Sequence, residues 1–535
     1  MKCSLLSQLV AVLSVSAMAG TTNRVTTVDE LLSALETAGK NDVVELAAGD
    51  YLLPEIPRST NDLVNAGCSH ISVACRLKGC GETREATRLI GRGAYRIMTL
   101  QNSGIVENLT LSNGAAVTML DGASKSTSGG GAFAYGTLTN CLIVGCSAAN
   151  GGGLYSGTAY DTVFVDNSAT GYGGGVHSAK LYGCIVTNNA SSNNGGGAYA
   201  VSYATNTFFM CNKSQSSGGG IGSGTSGRLE DCTIAGNAAL GSAGCGGGVY
   251  SADVENPLEV VGGRVSSNFA NKGGGIYGSV CRGAILADNV AGLDQNGDNA
   301  NATALIGCEI TGTGVSWGSA FGCVFHDIGG TVELTGNPHK TASVAIAIVY
   351  YYYPNVTNCL FRNNAPSSAL IKGTTSQDKT STLVNCTVVS NTFAYTFSGF
   401  AKEAYPLSVE NCLFWGNCKA NKAAQDINFQ DSSSGKITFS HTAYGATTMD
   451  LAPYSDGSLW RFGDDSVVGT APLFTGEPDA PYALSEKSKL LGIGRVAAWM
   501  ASAKDIRGKA RLTDGMVDLG CYQCHPRKGF LLLFR

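Results

Sequence analysis

The triplet Gly-Gly-Gly begins at Gly129, Gly151, Gly173, Gly195, Gly218, Gly246 and Gly273, and an apolar residue follows each time: Ala132, Leu154, Val176, Ala198, Ile221, Val249 and Ile276. The first three intervals are 22 residues each, and the next three are 23, 28 and 27. A spacing held this closely marks a solenoid, in which each repeat is one coil that buries its apolar face only by stacking on its neighbours. The chain has 535 residues, 72 of them glycine and 12 proline, with 44% hydrophobic and 14% charged residues. That balance fits neither a disordered chain nor a collagen triplet repeat, and it supplies ample core.

A second motif lies between the triplets and continues past them, as in Gly183-Cys184-Ile-Val-Thr-Asn188-Asn189, Asn358-Cys359-Leu-Phe-Arg-Asn-Asn364 and Asn411-Cys412-Leu-Phe-Trp-Gly-Asn417. Aligned, one column is always small (Cys141, Thr162, Cys184, Thr207, Cys232, Gly263). The column two residues on is always large and apolar (Ile143, Phe164, Val186, Phe209, Ile234, Val265, Phe361, Val388, Phe414). The positions between admit Arg264, Glu309, His326 and Arg362, so the alternation has period two with one buried face. Most of the 19 cysteines are therefore expected as compact buried thiols rather than as a disulfide framework. The closing column Asn167, Asn189, Asn212, Asn237, Asn268 and Asn289 is expected where each strand turns, in the left-handed conformation and with amides stacked from coil to coil.

The N-terminus carries Lys2, an apolar run from Leu9 to Val15 and Ala17-Met18-Ala19 before Gly20, the pattern of a secretory signal. Next, Thr27-Val-Asp-Glu30 has the form of a capping box, with Val28, Leu31, Leu32 and Leu35 on one helical face before Gly39. This helix is expected to lid the first coil, whose first strand is read at Asn41 to Leu46. The resulting division is 1–19 signal peptide, 20–42 N-terminal cap, 43–440 all-β right-handed parallel β-helix, 441–524 C-terminal region and 525–535 short basic and apolar tail. The formal charge of −4 offers no basic stripe, so nucleic acid is not an expected partner. No stretch after the signal approaches the ~20 apolar residues of a membrane-spanning helix. The expected location is extracellular or the outer surface of a bacterium.

These repeats resemble the right-handed β-helix proteins of the pectate-lyase-like superfamily. The Gly-Gly-apolar motif with Phe164-Val-Asp-Asn167, Phe209-Met-Cys-Asn212 and Phe414-Trp-Gly-Asn417 is similar to the repeat of chlamydial polymorphic outer-membrane proteins, which implies an adhesin-like role. Ala471-Pro-Leu-Phe474, Tyr482-Ala-Leu-Ser485, Asp505-Ile-Arg-Gly508 and Val517-Asp-Leu-Gly-Cys-Tyr522 resemble the choice-of-anchor region that follows β-helices in bacterial surface proteins.

Polysaccharide lyases and hydrolases of this superfamily need clustered carboxylates on one outer face. In the column before the closing Asn, acids occur at Asp166 and Asp288, five coils apart, or about 24 Å at the usual strand spacing. That column holds no catalytic pair, and no catalytic residue is assigned. Acids at Asp231, Glu309 and Glu333 fall at irregular places and leave a loop-built site open. Gly314-Val-Ser316-Trp-Gly318 and Gly222-Ser-Gly224-Thr-Ser-Gly227 match nucleophile-elbow and dinucleotide patterns by chance, since neither has the strand-to-helix context. Cys521 and Cys524 read as a disulfide or as bystanders. Asp294, Asn296 and Asp298 place oxygen ligands at alternate positions, which makes calcium a candidate cofactor beside the plainer reading of a polar loop.

The outward column after each triplet is aromatic: Phe133, Tyr155, His177, Tyr199, Tyr250 and Tyr277, interrupted at Gly222. Such a stripe could bind sugar faces or a surface protein, or could stack upon itself to stabilise the coil. The leading expectation is an exported, noncatalytic, adhesin-like or glycan-binding surface or secreted protein that requires no cofactor. The alternative is a polysaccharide-active lyase or hydrolase.

Overall fold

The computed structural model describes residues 20–55, 69–116, 127–253, 255–292, 298–301, 304–316, 319–329, 331–332, 342–343, 355–365, 369–372, 381–398, 407–419, 423–428, 437–445, 460–463 and 465–524. A typical coil contains four short strands: Ala132–Ala134, Thr137–Thr139, Leu142–Val144 and Ser147–Ala148. The next coil repeats them as Leu154–Tyr155, Thr158–Tyr160, Val163–Val165 and Ser168–Ala169. Equivalent strands pair in parallel, Ala132 with Leu154, Thr137 with Thr158, Leu142 with Val163 and Ser147 with Ser168. Four sheets thus run along one right-handed parallel β-helix. Among the described residues, sheet I, containing Ala132–Ala134, has 11 strands; sheet II, containing Thr137–Thr139, has 18; sheet IV, containing Ser147–Ala148, has 8. Sheet III contains Leu142–Val144 and reaches from Gly49–Leu52 to Val467–Val468, so parallel pairing continues past residue 440.

The corners explain the Asn, Asp and Gly content. Before the small column the backbone is left-handed at Asn140, Asp161, Gly183, Asn206 and Asp231 (φ 48, 47, 63, 48 and 49°). A second left-handed corner falls at Gly145, Asp166, Asn188, Cys211 and Gly236 (φ 62, 55, 53, 55 and 64°). That places it one residue before the closing Asn, which corrects the expectation that the closing Asn itself adopts the left-handed conformation. The closing Asn turns inward instead. Asn167, Asn189, Asn212, Asn237, Asn268 and Asn289 are buried and form a continuous amide ladder. Asn189 Oδ1 accepts from the Asn167 backbone N–H (2.9 Å) and from Asn167 Nδ2 (3.0 Å), while Asn189 Nδ2 donates to Phe164 O (3.0 Å) and to Asn212 Oδ1 (3.0 Å). Pairing both amide ends satisfies groups that would each be costly to bury alone. A second ladder, Asn364 to Asn391 to Asn417, ends on the buried acceptor Asp426.

Apart from the half-buried Gly263, the small column is buried, beside the Ile, Val and Phe of the large column. Its chemistry explains why Cys and Thr interchange. The thiols of Cys141, Cys184 and Cys232 donate to the carbonyl two residues upstream (3.3, 3.5 and 3.4 Å), and the hydroxyls of Thr162 and Thr207 do the same at 2.8 and 3.0 Å. The described cysteines are free thiols, Cys521 and Cys524 included. Burial pushes Cys141 and Cys232 up to about 12 and Cys184 to about 11, so these sulfurs stay protonated and inert at neutral pH. In the glycine triplets, the first glycine is left-handed (φ 65° at Gly173), and the second has no room for a side chain. A Cβ at Gly174 would lie 2.3 Å from the carbonyl oxygens of both Ala190 and Gly196.

At the N-terminal end the helix Val28–Thr37 carries the expected capping box of Thr27 and Glu30 and buries Leu31 and Leu32. They join Val25, Val44 and Leu46 in the core, so the helix does close the first coil. The first strand, however, is Thr22–Val25, paired in parallel with Val43–Leu46, ahead of the one read from sequence. At the other end, residues 471–524 fold back onto the outer face of sheet III. Ala480, Ala483, Cys521 and Tyr522 pack on Leu360 and Val389, and Leu484, Leu490 and Leu519 pack on Leu413 and Ala443.

Candidate binding faces

Alternation aims the residue after each inward aliphatic outward, and on sheet I this builds the aromatic column. Phe133 and Tyr155 stack at 5.0 Å and 18°, and Tyr155 and His177 at 4.7 Å and 13°. His177 and Tyr199 follow at 5.4 Å and 38°, and Tyr250 and Tyr277 form a separate tilted pair at 5.8 Å. The long ladder is closed at both ends. The buried Arg96 guanidinium lies 4.9 Å from the centroid of Phe133, and Tyr199 lies down across the interruption. A Cβ at Gly222 would meet Tyr199 Cδ2 at 3.2 Å, and one at Gly224 would meet its hydroxyl at 3.0 Å. Tyr155 and His177 therefore have both ring faces covered by neighbouring rings. Burial pulls His177 down to about 4, so its ring is neutral at pH 7 and stacks as an uncharged heterocycle. The same burial raises the phenols of Tyr199, Tyr250 and Tyr277.

Sheet II carries a second outward ladder that column alignment misses. Tyr160 and Tyr182 stack at 4.7 Å and 15°, and Tyr182 meets Tyr203 at 5.6 Å and 47°. The Tyr203 hydroxyl donates to Glu230 Oε2 at 2.5 Å, and an ion-pair chain continues from coil to coil. Arg228 binds both Glu230 (2.5 Å) and Glu259, and Arg282 binds Glu259 at 2.5 Å. Further towards the N-terminus, Arg76 pairs with Glu107 at 2.7 Å and Arg24 with Glu45 at 2.9 Å. Hydrogen bonds from Tyr203 and Arg228 hold Glu230 below the ordinary carboxylate value, and Arg282 does the same for Glu259.

A third cluster lies on the outer face of sheet III. His326 Nε2 meets Glu309 Oε1 at 2.8 Å, and its Nδ1 meets Asp327 Oδ2 at 2.6 Å. Arg362 is the register partner of His326 in the next coil. Close by in the C-terminal region, Tyr522 is buried, with the Arg507 guanidinium 5.2 Å from its ring. In the sequence, Glu309, His326 and Arg362 stand out only as polar residues tolerated on an outward position. The signal for the cluster is that His326 and Arg362 recur at equivalent places in successive coils, with Glu309 in the coil before at the position that pairs with Val324.

No family model matches the sequence, and no curated protein matches it. Solved structures do. A pectate lyase, Pel9A, is 11% identical over 94% of this chain and 96% of its own, with a TM-score of 0.25. The PL6 family polysaccharide lyase Pedsa3628 from Pseudopedobacter saltans is 10% identical over 87% and 97%, TM-score 0.24. The PL6 family alginate lyase AlyGC is 9% identical over 84% and 75%, TM-score 0.27. The likeness is one of fold class, and at these identities and TM-scores it carries no argument about activity.

Of the calcium candidates, Asp294 and Asn296 lie outside the described residues, and Asp298 opens the strand Asp298–Asn301. Among the described residues no group of three His, Cys, Asp or Glu side chains is placed to hold a metal ion. No helix among them is long and apolar enough to cross a membrane. Gly222 and Ser223 sit in the strand Ile221–Ser223, and Ser316 in the strand Gly314–Ser316, so neither chance motif has the turn its chemistry needs.

Proposed function

We propose that this chain is an exported, noncatalytic β-helix protein that displays its outer faces for adhesion or glycan binding. The observation that carries this reading is the ion pairing of outward carboxylates among the described residues: Arg88 holds Asp50, Arg76 holds Glu107, and Arg228 and Arg282 hold Glu230 and Glu259. A glycosidase needs one carboxylic acid kept protonated by a raised pKa, beside a second, ionised carboxylate. Here Asp50, Glu85, Glu230, Asp253 and Glu259 are all held below the ordinary value, by arginine, tyrosine, threonine or backbone N–H donors. Neutralised in pairs, such side chains stiffen the coil and offer hydrogen bonds to a ligand without exchanging protons with it.

The second reading, a polysaccharide-active enzyme, draws on His326 between Glu309 and Asp327 with Arg362 in the neighbouring coil. A histidine and an arginine on one outer face supply a base for proton abstraction and a cation for the carboxylate of an acidic sugar. The deciding experiment incubates the full chain with neutral and polyanionic polysaccharides and follows unsaturated products and new reducing ends. The noncatalytic reading expects neither. Products that vanish in His326→Ala would replace it with the enzyme reading.

A further inference from the structure

The two aromatic ladders differ in one respect that bears on ligands: the ladder on sheet I is closed at both ends, and the ladder on sheet II is open at Tyr160. We propose that the strand Thr137–Thr139, with Tyr135 and Tyr160 at its two ends, is a subsite for a pyranose ring of a glycan, an inference that rests on the glycan-binding reading above.

Tyr160 has Tyr182 stacked on one side, while its register partner on the other side is Thr139, whose side chain is too short to cover a phenol ring. Tyr160 is 40% exposed and Tyr135, two residues before Thr137, is 51% exposed; they are the most exposed tyrosines among the described residues. Between them Thr137, Thr139 and Thr158 stand on the outward, half-buried positions of their strands. None of their hydroxyls is taken up within the chain among the described residues. Inward-facing threonines behave differently, for Thr162 and Thr207 bond backbone carbonyls. Glu107, next to Thr139 in the preceding coil, adds carboxylate oxygens fixed by Arg76. The platform is stiff. Arg84 donates to Asp161 O (3.0 Å) and Cys141 O (3.4 Å), which ties the two coils together at the corner beside Tyr160.

These groups match the two surfaces of a pyranose. One sugar face presents C–H groups, which pack on the electron-rich face of an aromatic ring. The sugar edge presents hydroxyls that need donors and acceptors within hydrogen-bond reach, and free threonine hydroxyls supply both. Because the phenol and threonine groups are held by sheet and corner contacts, little conformational freedom is lost on binding.

The test is equilibrium binding of the full chain to soluble β-glucan, α-mannan and polygalacturonate, which separate neutral from acidic glycans. At least one is expected to bind, with affinity reduced tenfold or more in Tyr160→Ala and further in Tyr135→Ala/Tyr160→Ala. Tyr155→Ala, in the closed ladder, should change it less than twofold. Thr139→Tyr guards against misfolding, because it extends the stack over Tyr160 and fills the subsite; it should lose binding while melting at or above the wild-type temperature. Undiminished affinity in the double variant or in Thr139→Tyr would overturn the subsite and leave the glycan-binding reading standing. Failure of the wild type to bind any of the glycans would overturn both.

Discussion

Replacing Asn212 by leucine keeps the branched four-heavy-atom skeleton of the side chain and removes every hydrogen bond of the amide. Asn212 is fully buried; its Oδ1 accepts from the Asn189 N–H (2.9 Å) and Asn189 Nδ2 (3.0 Å), and its Nδ2 donates to Val186 O (2.9 Å) and Asn237 Oδ1 (3.0 Å). Four bonds at a net ~1 kcal/mol each set a loss of about 4 kcal/mol, increased by an orphaned backbone N–H at Asn189. The apolar side chain in a buried position offsets roughly 1–2 kcal/mol of this. The expected result is a destabilisation of about 3 kcal/mol, read from denaturant midpoints. It should appear with faster hydrogen exchange at the Asn189 amide, while amides several coils away are spared because coils contact only their neighbours. A change within ~0.5 kcal/mol, the range of ordinary surface substitutions, would refute the claim that the ladder holds the coils in register.

Four further outcomes follow from the same geometry. His70 is buried with neither ring nitrogen hydrogen-bonded among the described residues, and burial, with Arg92 nearby, pulls it to about 4, as burial alone does for His177. Both folded values lie below the unfolded one, so the unfolded chain binds more protons. Stability present above about pH 6.5 should then fall by up to ~1.4 kcal/mol per unit per histidine down to about pH 4, and His70→Leu should flatten the slope in urea titrations. Gly174→Ala drives a Cβ to 2.3 Å from two carbonyl oxygens, so it should cost at least ~2 kcal/mol. Gly145→Asn, at a left-handed corner with open space where other coils use Asn188 and Asn363, should be nearly neutral by thermal melting. Thiol titration of the unfolded chain without reductant should count most of the 19 cysteines as free, and a fully oxidised chain would contradict the interior column.

The interior was legible in the sequence because its rule is strict. Period two, a small residue opposite Phe or Val, and a corner every few residues admit few substitutes, so Cys184 and Phe209 declare their positions. The left-handed corner was misplaced by one residue because Asn suits both the corner and the ladder, and only burial separates Asn188 from Asn189. The open ladder was hidden for a different reason. Tyr160 and Tyr182 end their strands, whereas Tyr203 begins its own, so the rings meet diagonally and no single column contains all three. The fold-back of residues 471–524 left no periodic trace. Its contacts join distant positions, such as Asn358 Nδ2 donating to Lys504 O at 2.9 Å, and it has almost no strands to announce a pattern.

Binding without turnover is the property that sets the proposed function apart, and the most direct measurement recovers a retained glycan after long incubation with the full chain and sizes it. The prediction is a saturable, retained polysaccharide of unchanged length that carries no unsaturated ends. Shortened chains, or unsaturated ends that disappear in His326→Ala, would contradict it and move the function from the open tyrosine ladder to the histidine cluster on sheet III.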